Sequence, residues 1–134
     1  MVGLIFGRFN PPTIGHEMMI AKAKGDLKND PLFVFISKTQ DKKKNPLDVD
    51  TKEKILSVMF RGVRNLKFVK CNDKIRTIIE ALKFLNVEYD RVTVYCGSDR
   101  KSQFETLINK YNGKEYDFSE IVIKSVGGRD QDDD

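Results

Sequence analysis

Hydrophobic positions fall into five short runs separated by longer amphipathic stretches. Val2 to Phe6 and Leu32 to Ile36 are almost unbroken apolar segments rich in branched and aromatic residues, the pattern of strands buried on both faces. Leu66 to Val69, Val92 to Cys96 and Ile121 to Val126 supply three more. Helical character runs through Met18, Met19, Ile20, Ala21 and Ala23, and is expected to stop at Gly25 and the Asn29-Asp30-Pro31 turn. After a polar, basic loop from Ser37 to Val49, Asp50 with Glu53 three residues on reads as an aspartate version of the capping box. Ile55, Val58 and Met59 then give one apolar helix face up to Gly62. Ile75, Ile78, Ile79, Leu82 and Leu85 form the clearest 3.6-residue stripe, and Phe104, Leu107 and Ile108 the inner face of a fourth helix. Phe33, Phe35, Phe60, Phe68, Phe84, Met18 and Met19 are expected in the core.

Strands alternating with helices predict an α/β fold: a Rossmann-like, doubly wound parallel sheet of five strands in the order 3-2-1-4-5, with helices on both faces. No repeat or linker divides the chain, so residues 1–134 read as one domain. Such sheets bind ligands at the carboxyl ends of the strands, where the order reverses. Strands 1 and 4 meet there, and the loops that follow them, Gly7 to His16 and Gly97 to Arg100, are the least ordinary in the chain.

Composition narrows the class. At 134 residues with 40% hydrophobic and 33% charged positions, the chain is globular in type. It has no apolar run near the roughly 20 residues of a membrane span. Met1 to Phe6 lacks a basic leader, so a cytoplasmic protein without membrane association is expected. Cys71 and Cys96 are too few for a disulfide framework and read as small buried hydrophobes; with one histidine, no protein-held metal site is expected. A net charge of +4 suits small phosphate-bearing partners and is weak for nucleic-acid binding. Neither a P-loop nor the dinucleotide glycine fingerprint is present.

In the first loop Gly7 permits close backbone approach, Pro11 and Pro12 stiffen the chain, and Gly15 and His16 open a helix whose unpaired N–H groups favour phosphate. Beside phosphate, His16 could hold a proton and donate it to oxygens gaining charge. Ser37 and Lys38 close the second strand, and Lys42, Lys43 and Lys44 follow in a loop that could equally be plain solvated surface. Gly97-Ser98-Asp99-Arg100 suits either a ligand contact or a helix cap at Ser98 or Asp99.

Gly7-Arg8-Phe9-Asn10-Pro11-Pro12-Thr13-Ile14-Gly15-His16 resembles the G-x-F-x-P-x-[H/T]-x-G-H signature of the nucleotidyltransferase superfamily, also called cytidylyltransferase-like. Gly7, Phe9, Pro11, Thr13, Gly15 and His16 all fall on signature positions. The threonine is similar to phosphopantetheine adenylyltransferases, the Gly-Arg-Phe opening to archaeal-type NMN adenylyltransferases. The resemblance implies transfer of an adenylyl or cytidylyl group from ATP or CTP to a phosphorylated small molecule, with magnesium on the triphosphate and release of pyrophosphate. It gives catalytic roles to His16, Thr13 and Lys44, and nucleotide contacts to Gly7, Arg8, Phe9, Asn10, Gly15, Gly97, Asp99 and Arg100. Ser37 and Lys38 would meet the acceptor. Members are commonly oligomers, so self-association is open. The superfamily's closing motif, I-S-[S/T]-T-x-[I/V]-R, has no counterpart before Asp134; Ser125 lies too early, and Arg129 sits in a glycine-acid loop. A nucleotide-binding or partner-binding module of the same fold is therefore the alternative.

Overall fold

The computed structural model describes residues 1–9, 14–38 and 48–126. Its elements run β1 (Val2–Gly7), α1 (Ile14–Leu27), β2 (Leu32–Ile36), α2 (Val49–Met59), β3 (Leu66–Lys70), α3 (Ile78–Asn86), β4 (Arg91–Cys96), a 3-10 turn (Ser98–Arg100), α4 (Lys101–Tyr111) and β5 (Glu120–Ser125). The strands form one parallel sheet in the order β3-β2-β1-β4-β5, as the alternation predicts. Strand side chains alternate between two cores. Val2, Leu4, Phe33, Phe35, Val92 and Val94 pack under α3 and α4 through Ile78, Leu82, Leu85 and Ile108. Ile5, Leu32, Val34, Ile36 and Tyr95 face α1 and α2 through Ile20, Ala23, Leu27 and Leu56. Each of these large aliphatic side chains contributes about 1.5–3 kcal/mol by leaving water.

Gly3 lies on the second of these faces, and a side chain there would run into Leu27 Cδ1, so the glycine sets how closely α1 approaches the sheet. On the same face the Tyr95 hydroxyl donates to Asp26 (2.6 Å), which also accepts from Lys124 (2.9 Å), joining α1 to β4 and β5.

Several sequence expectations need correction. α1 continues past Gly25 to Leu27, because that glycine is solvent-facing with nothing near it to disturb the turn. Gly7 is the last residue of β1 rather than the first of the loop. The cap of α2 is Asp48, whose carboxylate accepts from Thr51 N–H at 2.8 Å. Asp50 is already helical and pairs with Lys70 at 3.0 Å, and Glu53 accepts from the Ser57 hydroxyl. The inward stripe of α2 is Val49, Lys52, Leu56 and Met59, while Ile55 and Val58 face out. A lysine inside the stripe masks its period in the sequence. Met18 and Phe84 are half exposed and Leu107 is exposed, because each sits a step round its helix from the buried row; Phe60 and Phe68 are half-buried. The stripe of α3 stands from Ile78 onward, whereas Ile75 is buried in the segment ahead of the helix, and both cysteines are buried as read. Among the described residues no helix is long and apolar enough to cross a membrane.

The Asp26 carboxyl lies below its ordinary 3.8, chiefly through the Tyr95 hydroxyl and then Lys124. A depressed carboxyl stabilises the fold at neutral pH, and the contribution is lost as pH falls through its folded value. The wild-type protein should therefore lose more stability than Asp26→Asn as pH falls from about 5 to about 2. Parallel denaturation curves would show Asp26 to be idle.

Candidate active site at the strand-order reversal

β1 stays paired with β2 through Gly7 and Ile36, but its register with β4 ends at Leu4 and Val94. Beyond that point the two strands part, and a cleft of about 360 Å³ opens between their ends. Its floor is Ile5, Phe6 and Gly7 on one side and Tyr95, Cys96 and Gly97 on the other. Arg8, Phe9, His16 and Met19 form one wall; Arg76, Thr77 and Ile78 at the start of α3 form the second, with Arg100 and Phe104 beyond. Among the described residues three arginines and no carboxylate line this space, so the potential they set favours an anion.

The wall from the first loop is built around Phe9. Its backbone is left-handed (φ 51°), uncommon for a bulky residue, and this turns the ring inward until it is 1% exposed. The ring lies over Gly7 and beside the His16 imidazole, centroids 4.8 Å apart at 60°. A β-carbon on Gly7 would meet Phe9 Cε2 at 3.1 Å, so the room at Gly7 is taken by the chain's own aromatic ring. His16 is buried in the first turn of α1, where helix N–H groups are unpaired by helical bonding. On the opposite side Gly97 is buried, and its carbonyl accepts from Arg100 N–H at 3.0 Å, which folds the Ser98–Arg100 turn over the β4 end. The N-cap positions of this turn and of α4 are Gly97 and Arg100, and neither provides a side-chain cap.

A second basin of about 320 Å³ adjoins the first at the ends of β2 and β3. Ser37 and Arg76 border both. Lys38 reaches across the second basin to Asp73 at 2.8 Å, and that ammonium holds the Asp73 carboxyl below its ordinary value. Arg76 and Thr77 are held by Glu80, whose carboxylate accepts both backbone N–H groups and lies low for that reason. Burial pushes the Cys71 and Cys96 thiols up to about 11, which makes them poor nucleophiles at neutral pH.

The structure thus gathers Gly7, Arg8, Phe9, His16, Gly97, Arg100 and Ser37 at one cleft, with Lys38 in the adjoining basin. Gly15 is exposed at the start of α1 and does not line the cleft. Asp99 faces a shallow groove along α4 with Ser102, Gln103 and Thr106. Asn10, Thr13 and Lys42 to Lys44 lie outside the described residues, as does Arg129. Sequence reasoning missed Arg76 and Thr77; the signal was Thr77-Ile78-Ile79-Glu80, a capping-box spacing that fixes where α3 begins. Among the described residues no group of three metal-ligating side chains occurs, and the arginine-lined cleft does not fit a protein-held cation.

The cytidylyltransferase-like family model matches residues 4–126. Compared with curated proteins, the sequence has no significant match. Among solved structures, the lipopolysaccharide core biosynthesis protein of Thermoplasma volcanium superposes with a TM-score of 0.60 at 15% identity, covering 97% of this chain and 98% of its own. The nicotinic acid mononucleotide adenylyltransferase of Plasmodium falciparum complexed with NaAD gives 0.60 at 13% identity, and the same protein complexed with APC gives 0.57 at 13%. In both complexes 98% of this chain and 77% of the other are covered.

The contact between Gly7 and Phe9 predicts that Gly7→Ala costs about 1–3 kcal/mol by overpacking. Phe9→Leu should relieve part of that cost in the double variant, read as a coupling in denaturant unfolding. Additive effects of the two substitutions would contradict this packing.

Proposed function

The chain belongs to the cytidylyltransferase-like family of nucleotidyltransferases, and on that premise we propose that it moves a nucleotidyl group, adenylyl in the first place and cytidylyl as the alternative, from a nucleoside triphosphate to a phosphorylated small molecule in the cytoplasm. The observation that carries this reading is the arginine-lined cleft at the parted ends of β1 and β4, with His16 in its wall. The adenylyl side is supported by the shared fold of the Plasmodium adenylyltransferase.

In the proposed reaction an oxygen of the acceptor phosphate attacks the α-phosphorus in line. The new P–O bond forms as the bond to the β-phosphate bridging oxygen breaks, and its electron pair leaves with pyrophosphate. No covalent enzyme intermediate is formed, so the protein's work is to hold two anions together and balance the charge that builds on the leaving oxygens. Arg8 and His16 are assigned to the triphosphate, and Arg100 to the nucleotide from the β4 side. Thr13 and Lys44 are assigned to the triphosphate, and Asn10 and Gly15 to the nucleotide, on the strength of the resemblance alone. Asp99 is assigned to ribose or base only if the Ser98–Arg100 turn rotates it inward on binding. The acceptor falls to the second basin, its phosphate between Ser37 and Arg76, which border both spaces, and Lys38 beyond.

The test is pyrophosphate release from ATP and from CTP, with NMN, phosphopantetheine and glycerol phosphate offered as acceptors. Release with one pair supports the enzyme. Nucleotide binding with no release from any pair would favour the binding-module reading. His16→Asn should lower turnover by about two to three powers of ten with the fold intact; turnover within a factor of two of wild type would remove His16 from the chemistry. Arg76→Ala should raise the acceptor KM by about tenfold or more and leave nucleotide binding unchanged. The reverse pattern would move Arg76 to the nucleotide half.

A further inference from the structure

Among the described residues, Arg76 is the one charged side chain that borders both basins. It stands on the short segment between β3 and α3, whose backbone is held by side chains of that same stretch of chain. The Asn72 carboxamide oxygen accepts from Lys74 N–H at 2.8 Å and from Ile75 N–H at 3.0 Å. The Glu80 carboxylate accepts from Arg76 N–H and, at 2.9 Å, from Thr77 N–H. The N–H groups of Lys74, Ile75, Arg76 and Thr77 are thereby all taken, so what this rim offers an anion is the Arg76 side chain.

A carboxylate beside an anion-binding space works against it unless its charge is engaged elsewhere. Two carboxylates, Asp73 and Glu80, lie within the field of Arg76. Asp73 is bridged to Lys38 across the second basin, and both Glu80 bonds go to backbone N–H groups. Among the described residues neither carboxylate pairs with the Arg76 guanidinium, which is left to line the two spaces. Glu80 itself lines neither. Its helix is anchored in the core by Ile78, Leu82 and Leu85, with Ile75 buried just ahead, so the carboxylate ties the rim to an element that is held in place.

We infer that Glu80 is a positioning residue: out of contact with ligand, it fixes the backbone of Arg76 and Thr77 to the first turn of α3, and so holds the Arg76 guanidinium where the two basins meet, to receive the phosphate of the acceptor. The inference rests on the proposed function for its choice of a phosphate-bearing ligand.

Two substitutions separate reach from charge. Glu80→Gln keeps the length and an acceptor oxygen but loses the charge, whereas Glu80→Asp keeps the charge and is shorter by a methylene group. Wild type and both variants are titrated with inorganic phosphate and with ATP, following the amide signals of Ser37 and Cys71, and the series is repeated in Arg76→Ala. Glu80→Gln should bind phosphate at least as tightly as wild type, and Glu80→Asp on the order of fivefold more weakly, with ATP affinity held to within about a factor of two in each. In the Arg76→Ala background Glu80→Asp should cause no further loss, because the two residues act as one. Glu80→Ala, which loses both reach and charge, carries the same prediction as Glu80→Asp, so the test survives if one of them does not fold. Wild-type phosphate affinity in both of these variants would overturn the inference, as would an undiminished effect in Arg76→Ala. Glu80→Gln binding as weakly as Glu80→Asp, or wild type binding no phosphate at all, would also overturn it. Phosphate binding that follows the expected pattern, with no pyrophosphate released from any nucleotide and acceptor, would sink the nucleotidyl reading and leave this inference standing; pyrophosphate release with an acceptor KM that ignores Glu80→Asp would do the reverse.

Discussion

β1 is held by β2 from Gly3 to Gly7 and by β4 only as far as Leu4 and Val94. The chain leaving β1 crosses to α1 on one face, and the chain leaving β4 crosses to α4 on the other. Two right-handed crossovers departing in opposite directions open a wedge between the strand ends. Everything chemical in the site follows from that wedge, because the residues lining its floor are those past the last β1–β4 register pair: Ile5 to Gly7 and Tyr95 to Gly97.

The wedge is furnished in two layers. Facing the space are Arg8, Arg76 and Arg100, each from a different element. Behind them lie the Phe9 ring, seated over Gly7 and against His16, and the backbone bond between Gly97 and Arg100 that folds the turn over the end of β4. The left-handed backbone at Phe9 costs stability and lies against the cleft, the pattern expected where local strain serves a preorganised site.

Much of the fold was legible because parallel strands buried on both faces write themselves as apolar runs, and the strand order followed from alternation and handedness. The cleft was legible for the same reason, through its two glycine-bearing loops. What stayed hidden has physical causes. Lys52 reads as a polar break in α2, so the sequence suggests the face of Ile55 and Val58, which is in fact the outer one. Asp50 matches a capping pattern, yet Asp48 caps, because helix starts are set by backbone geometry that several nearby aspartates could satisfy. Phe9 reads as a signature position only, and its left-handed backbone and buried ring over Gly7 leave no mark in the sequence. Arg76 had no motif of its own, and only the start of α3 brings it to the cleft.

The claim on which the account depends is that a nucleoside triphosphate lies between the ends of β1 and β4. Amide chemical-shift mapping of the protein titrated with ATP and with CTP tests it most directly. The account predicts that the largest changes fall on Gly7, Arg8, His16, Gly97 and Arg100, with smaller ones at Ser37. Changes confined to the α4 groove around Asp99, Ser102 and Thr106, with the strand ends undisturbed, would contradict it.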